Sequence, residues 1–208
     1  MATTATDLIS TTINDLEAAV YSYSAVQGDK ALHAAIHEGG RNLFLVGRAL
    51  EAAKTELGGR DLAGDADASS TMDLLKQCKV NAELSKIIFN AVALAPEASR
   101  SQRYKEVVRQ EGDGRTVEVL VMGMINDVRL LAENDAVRAG IQDQVNALRE
   151  AIGRLSAMES SVPGEASSYT FTNYGSGDVL SAPGGTINNS TGTGNHFPGA
   201  SFFGTVSF

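Results

Sequence analysis

The forty residues from Tyr169 to Phe208 constrain this chain more than any other stretch. They hold one charged side chain, Asp178, against eight of the chain's 21 glycines and seven of its twelve Phe and Tyr residues. Most of the remainder is Ser, Thr and Asn. A flexible linker has Gly and Ser without the aromatics. Low charge with aromatic and β-prone residues retained is instead the composition of cross-β assembly. Ordering a residue costs about 1.5 kcal/mol of conformational entropy, and burying an apolar side chain returns about 2 kcal/mol. Forty residues with eleven apolar side chains therefore fall far short. The segment is expected to be disordered alone and to gain order only from stacked copies, where each strand finds a partner above and below. On composition by itself, a disordered terminus with no role stays open beside this reading.

The segment also repeats. Gly175-Ser176-Gly177 is followed by the apolar pair Val179 and Leu180, then by Pro183-Gly184, Thr186 and Ile187. Seventeen residues after Gly175, Gly192-Thr193-Gly194 opens the same series with Phe197, Pro198-Gly199, Ser201 and Phe202. Gly204 to Phe208 alternates apolar with small residues, which predicts a strand. Short strands punctuated by Gly and Pro-Gly corners, in two copies, predict the stacked coils of a β-solenoid. Gly175, Gly177, Gly192 and Gly194 are the expected turns, where a side chain would obstruct positive φ. Asn188, Asn189 and Asn195 are placed to form stacked amide ladders. Val179, Leu180, Ile187, Phe197, Phe202 and Phe203 are candidates for the dry interior. Pro183, Gly184, Pro198, Gly199 and the terminal Phe208 complete the set of assembly residues.

Length and charge bound the rest. The 208 residues suit one compact domain and an extension. A net charge of −8 and an isoelectric point near 4.9 argue against a nucleic-acid partner and against simple attraction to anionic lipid. The single cysteine, Cys78, excludes an internal disulfide framework. Met1–Ser10 has neither the basic cluster nor the apolar core of a secretory leader. No run approaches the length of a membrane span. A cytoplasmic protein is expected.

From residue 4 to about 158 the apolar periodicity is helical. Ile9, Ile13, Leu16, Val20 and Tyr23 form the stripe of a first helix that breaks at Gly28-Asp29. A second carries Leu32, Ile36, Leu43, Val46, Leu50 and Leu57, with Gly39-Gly40 as an expected kink. After a loop through Asp61–Ser70, a third aligns Leu74, Leu75, Cys78, Ala82, Phe89 and Val92 and stops before Pro96. Ser99 with Gln102 reads as a capping box for a short fourth helix ending near Gly112. The fifth is apolar nearly all round, from Val117, Leu120, Val121, Met124, Val128 and Leu131 to Val119, Met122 and Leu130, which predicts the central helix. The sixth has Val137, Ile141, Val145, Leu148, Ile152 and Leu155. The fold class is therefore all-α: a bundle of five to six helices over residues 1–160, a linker over 161–172 and an assembly segment over 173–208.

No phosphate loop, catalytic triad or paired carboxylates mark an enzyme, and neither a cofactor nor a metal site is expected. His33 and His37 sit four apart with Glu38 adjacent, a spacing two metal ligands use, yet no third ligand follows and a solvated flank accounts for them. Cys78 falls on an apolar stripe, as a core thiol does. Arg100, Arg103, Lys105, Arg109 and Arg115 are interleaved with Glu106 and Glu111, which reads as a wet helix face rather than an anionic-lipid site.

The bundle resembles the fungal SesA domain, found at the N-terminus of NACHT-type NOD-like receptors and on separate effectors. The resemblance is carried by Tyr23, Leu32 and Leu43–Leu50, then by Leu75, Cys78, Ala82, Leu84, Ile87 and Phe89. It continues through Arg103-Tyr104, Val108-Arg109, Val117, Glu118, Leu120 and Met122. At the start of the second helix the chain departs from the family, with Ala31 and Ile36 where a proline and an aromatic are usual. The tail resembles the σ amyloid motif of the same systems. Ala182–Thr186, Asn188-Asn189, Thr191–Asn195, Phe197–Ala200, Phe203-Gly204 and Phe208 carry that likeness.

The two resemblances imply a cell-death effector of fungal innate immunity or heterokaryon incompatibility, with a HeLo-like bundle. A receptor bearing a matching motif would template the tail into a self-assembled, prion-like amyloid. The bundle would then act on membranes or recruit partners. Membrane lipids are thus an implied partner after activation, alongside the receptor and other copies of the chain. Ile9, Ile13, Leu16, Val20 and Tyr23 are the candidate membrane-acting residues, although packing on the bundle is the commoner use of such a stripe. Two other classes stay open: a non-toxic adaptor that oligomerises through its tail, and a small ligand-binding helical domain with a disordered end.

Overall fold

The computed structural model describes residues 4–57 and 68–162. The chain divides into two units between Ser167 and Ser168, and the described residues all belong to the first. They form six α-helices: α1 (Ala5–Ser24), α2 (Ala34–Leu57), α3 (Ala68–Ala93), α4 (Arg100–Gln110), α5 (Val117–Leu131) and α6 (Asp135–Ser156). A single 3-10 turn, Glu97–Ser99, precedes α4. The fold is an all-α bundle, and no strand occurs among the described residues.

Each amphipathic stripe faces the same core. α1 packs on α2 and α3; α2 also meets α5 and α6; α3 also meets α4 and α5; and α5 meets α6. Ile9, Leu16, Leu43, Leu50, Leu75, Phe89, Leu120 and Met124 are wholly buried. Burying side chains of this size contributes about 1.5–3 kcal/mol each, so the stripes rather than helix propensity hold the bundle together.

The helix ends differ from expectation in instructive ways. A capping box forms at Thr4, not at Ser99. The Thr4 hydroxyl accepts from the Asp7 amide at 3.1 Å, and the Asp7 carboxylate accepts from the Thr4 amide at 3.1 Å. Thr4 has the extended backbone an N-cap needs (φ −83°, ψ 161°), whereas Ser99 at φ −113°, ψ −1° aims its hydroxyl back at the Pro96 carbonyl, 3.0 Å away. Gln102 bonds Glu106 instead. The helix α3 begins at Ala68, three residues inside the expected loop, and Leu32 lies ahead of α2 rather than on it.

The helix α2 runs unbroken through Gly39 and Gly40, and close approach rather than a kink is what these positions serve. A Cβ at Gly40 would lie 2.5–2.7 Å from ring atoms of Tyr23 in α1; one at Gly39 would lie 2.8 Å from Val117 Cγ1 in α5. The two glycines let α2 sit between α1 and α5. α5 shares the central position with α2 and α3, each of which packs on three other helices. Nor is α5 apolar all round: Val119, Met122 and Leu130 are only half-buried, while Glu118 and Asp127 are buried. From α4, the chain reverses through Gly112-Asp113-Gly114, where Gly114 has φ +74° and its amide donates to the Val108 carbonyl at 3.0 Å. That turn sets the start of α5.

Two glycine substitutions should therefore move stability in opposite directions. Gly40→Ala forces a methyl into the Tyr23 ring and is expected to cost about 1–3 kcal/mol. Gly153→Ala meets nothing within 4 Å on α6, and should gain up to about 1 kcal/mol from helix propensity. Urea unfolding of the two variants beside the parent checks both signs.

Candidate functional site

The assembly residues Gly175 to Phe208 lie outside the described residues. The α1 stripe is described, and it belongs to the core. Ile9, Ile13, Leu16 and Tyr23 are buried and Val20 is half-buried. Tyr23 tilts against Phe89 of α3 with centroids 5.3 Å apart, and its hydroxyl donates to the His37 carbonyl at 3.2 Å. Asp15 of α1 is ion-paired with Lys86 of α3. Exposing this stripe would first require breaking those contacts. Among the described residues, the large apolar side chains that do reach the surface are Tyr21, Phe44, Val80 and Leu94.

His33 and His37 make local bonds rather than a shared site. His33 Nδ1 accepts from the Ala35 amide at 3.2 Å, at the start of α2, and His37 Nε2 lies 2.9 Å from the Asp29 carbonyl. Cys78 is wholly buried, and burial, with the neighbouring Asp127 charge, pushes its thiol up and keeps it protonated. The basic stretch is dispersed over several partners. Arg100 donates to Asp29 Oδ2 at 3.2 Å, Arg103 pairs with Glu106 at 3.6 Å, and Arg115 donates to Asn81 Oδ1 at 3.2 Å.

The electrostatics concentrate on Glu38, Asp127 and Glu118, three of the four carboxylates buried among the described residues, which hydrophobic patterning leaves unmarked. Glu38 joins α2 to α6: Arg154 Nε reaches Oε1 at 2.7 Å, Arg41 reaches Oε2 at 2.6 Å, and Asn42 donates to Oε1 at 3.1 Å. Burial alone would raise its pKa, but the bonds from Arg154, Arg41 and Asn42 outweigh that and bring it to about 2. Asp127 has the opposite surroundings. Its Oδ2 is buried without a hydrogen-bond partner, and burial raises its pKa to about 7.

Glu118 is the third, and it holds the segment that follows α6. Its Oε1 accepts from the Ser161 amide at 2.8 Å and from the Ser161 hydroxyl at 2.8 Å; Oε2 is 3.0 Å from that hydroxyl. Tyr104, from α4, lies 2.7 Å from the Ser161 hydroxyl and accepts from the Val117 amide at 3.2 Å. Each hydroxyl thus accepts once and donates once, from the Val117 amide through Tyr104 and Ser161 to the carboxylate. Burial and the Glu118 charge raise the Tyr104 pKa, so the phenol keeps its proton. Bonds to a charged acceptor contribute about 1.5–3 kcal/mol each. Ser161 and Val162, counted with the linker by sequence reading, are therefore part of the bundle, 5% and 2% exposed. The residue types gave no periodic signal; only the acidic position inside an apolar helix hinted at a buried partner.

Neither metal-site clusters of His, Cys, Asp and Glu nor helices long and apolar enough to cross a membrane occur among the described residues. Against this geometry, two family models match the chain. One, SesA, described as an N-terminal domain on NACHT NTPases and P-loop NTPases, covers residues 9–131. The other, described as the sigma domain on NACHT NTPases, covers residues 168–208. No curated protein and no solved structure matches. The first match ends at Leu131, yet Val137, Ile141, Leu148 and Leu155 of α6 are buried, so the bundle continues past it to Val162.

The Asp127 environment fixes a pH dependence. Its pKa lies near 7 in the fold against an ordinary 3.8, so its contribution is fully present below about 3.8 and is lost as pH rises through 7. Glu38 works in the other direction, and only below its ordinary 4.5. The urea midpoint should therefore decline from about pH 5 to pH 7 and level off above, and Asp127→Asn should flatten that decline. A midpoint that rises over this range would contradict the assignment.

Proposed function

From a chain that belongs to the SesA family, with a sigma domain at its C-terminal end, we infer a signalling effector switched by a NACHT NTPase. The reading is of a cytoplasmic, non-enzymatic cell-death or innate-immunity effector of the fungal type. A NACHT receptor carrying a matching sigma segment templates residues 173–208 into a self-propagating amyloid, and the clustered bundles then act on membranes or on partners. The observation that carries the reading is the pairing of two domains that both occur on NACHT NTPases, one of them coinciding with the aromatic Gly/Asn repeat. The entropy shortfall of that repeat supplies the switch: order waits for a template, and a clustered receptor provides one.

A second reading, an adaptor without toxicity, is favoured by one feature. The α1 stripe proposed to act on membranes is packed in the core, with Ile9 and Leu16 no more than 2% exposed. Insertion would need α1 to leave the bundle, whereas recruitment of a partner needs no rearrangement.

The test is seeding. Isolated 169–208 peptide should form thioflavin-positive fibrils that convert full-length protein, and Gly194→Asp or Phe197→Asp should abolish conversion. Conversion at the parental rate by either variant would contradict the assembly assignment. Leakage from liposomes by the seeded protein, absent when residues 1–27 are deleted, would favour membrane action; assembly without leakage would favour the adaptor.

A further inference from the structure

The helix α6 ends at Ser156, and by Ser161 and Val162 the chain is buried again, with Ser161 bonded to Tyr104 of α4 and Glu118 of α5. The assembly segment follows this point in the chain. The fixation is polar and directional. The Ser161 amide and hydroxyl both donate to the Glu118 carboxylate, while Tyr104 bonds the hydroxyl from the side. Glu118 is 4% exposed and Tyr104 is 1% exposed. Removing Ser161 would leave Glu118 with only Tyr104, whose hydroxyl is 3.5 Å from Oε2. A buried carboxylate stripped of its donors is among the costlier states a fold can adopt. Extraction of residues 161–162 is therefore opposed more strongly than fraying of an ordinary helix end.

We propose that Glu118, Tyr104 and Ser161 form an anchor that holds the segment after α6 to the bundle and keeps the bundle folded while the tail assembles. This rests on the assembly reading above and adds how the bundle is treated by it. Tension from an assembling tail is delivered through Ser161 to the α4–α5 corner, and α6 is not peeled from its carboxyl end. Glu118 is a positioning residue here: it touches no ligand and acts through Ser161. In assembled protein the α4–α5 corner and α6 then stay native, and the copies are crowded with that end of the bundle intact. Crowding raises the effective concentration of weak surface contacts without any new one being made.

Amide hydrogen exchange on the full chain, before and after seeding with 169–208 fibrils, tests this. In soluble protein, exchange at Ser161 should be slow, and Glu118→Gln should speed it by about tenfold or more by weakening a charge-assisted bond. After seeding, the parent should keep slow exchange at Ser161 and across α6, within about threefold of its soluble value. Seeded Glu118→Gln should lose protection at Ser161 and then back towards Leu155. If Glu118→Gln does not fold, Tyr104→Phe keeps the carboxylate and its bond to the Ser161 amide, and should give a smaller acceleration. Fast exchange at Ser161 in the seeded parent would overturn the proposal, as would a soluble Glu118→Gln or Tyr104→Phe that exchanges like the parent. A tail that never converts defeats the assembly reading itself; a tail that converts while Ser161 loses protection defeats only the anchor.

Discussion

Burial of apolar surface has to outweigh the loss of chain freedom, about 1–2 kcal/mol per backbone residue. In the described residues, 4–57 and 68–162, that condition is met by helical stripes converging on one core, from Ile9 in α1 to Leu155 in α6. Residues 169–208 offer eleven apolar side chains among forty positions, with eight glycines that have the most freedom to lose. One chain thus carries two regimes: a part able to order itself and a part whose order, in our proposal, must come from neighbours. The function proposed follows from that asymmetry. A receptor need not supply energy to such a switch, only a template.

The bundle achieves its density through close approach rather than bulk. Gly39 and Gly40 admit Val117 and Tyr23 to the backbone of α2, so that α2 sits between α1 and α5. Glu118, beside Val117 on α5, meets Tyr104 of α4 and Ser161 of the segment after α6 through side-chain bonds. Buried charge in this core is unequally treated. Glu38 and Glu118 are surrounded by donors, whereas Asp127 is left with an unpartnered oxygen and a pKa near 7. A buried acid of that kind lowers stability near neutrality.

Periodicity made the helices legible because each stripe must face one core whatever its neighbours are. Ile9, Ile13, Leu16 and Tyr23, and likewise Leu74, Leu75, Cys78 and Phe89, could be assigned from spacing alone, and all are buried. Contacts that depend on the partner were not legible. Nothing local distinguishes a glycine that kinks a helix from one that admits a ring, as Gly40 does. Ser99 and Gln102 had the right types for a capping box, but the preceding 3-10 turn gave Ser99 a helical backbone. Ser161 lies 43 residues from Glu118, and no residue pattern announces a bond over that separation. The repeat in the tail was visible because glycine, asparagine and aromatic residues recur in order, and the sigma-domain match falls on the same positions.

The central claim is that residues 4–162 fold by themselves while the tail orders only against other copies. An amide NMR spectrum of the isotope-labelled full chain, taken dilute and then after fibril formation, addresses it most directly. The account predicts dispersed resonances for the bundle and a narrow, crowded set for residues 169–208 in dilute protein, with the tail signals reappearing as rigid β-structure only in the fibril. Dispersed tail resonances with long-range contacts in the dilute monomer would contradict it.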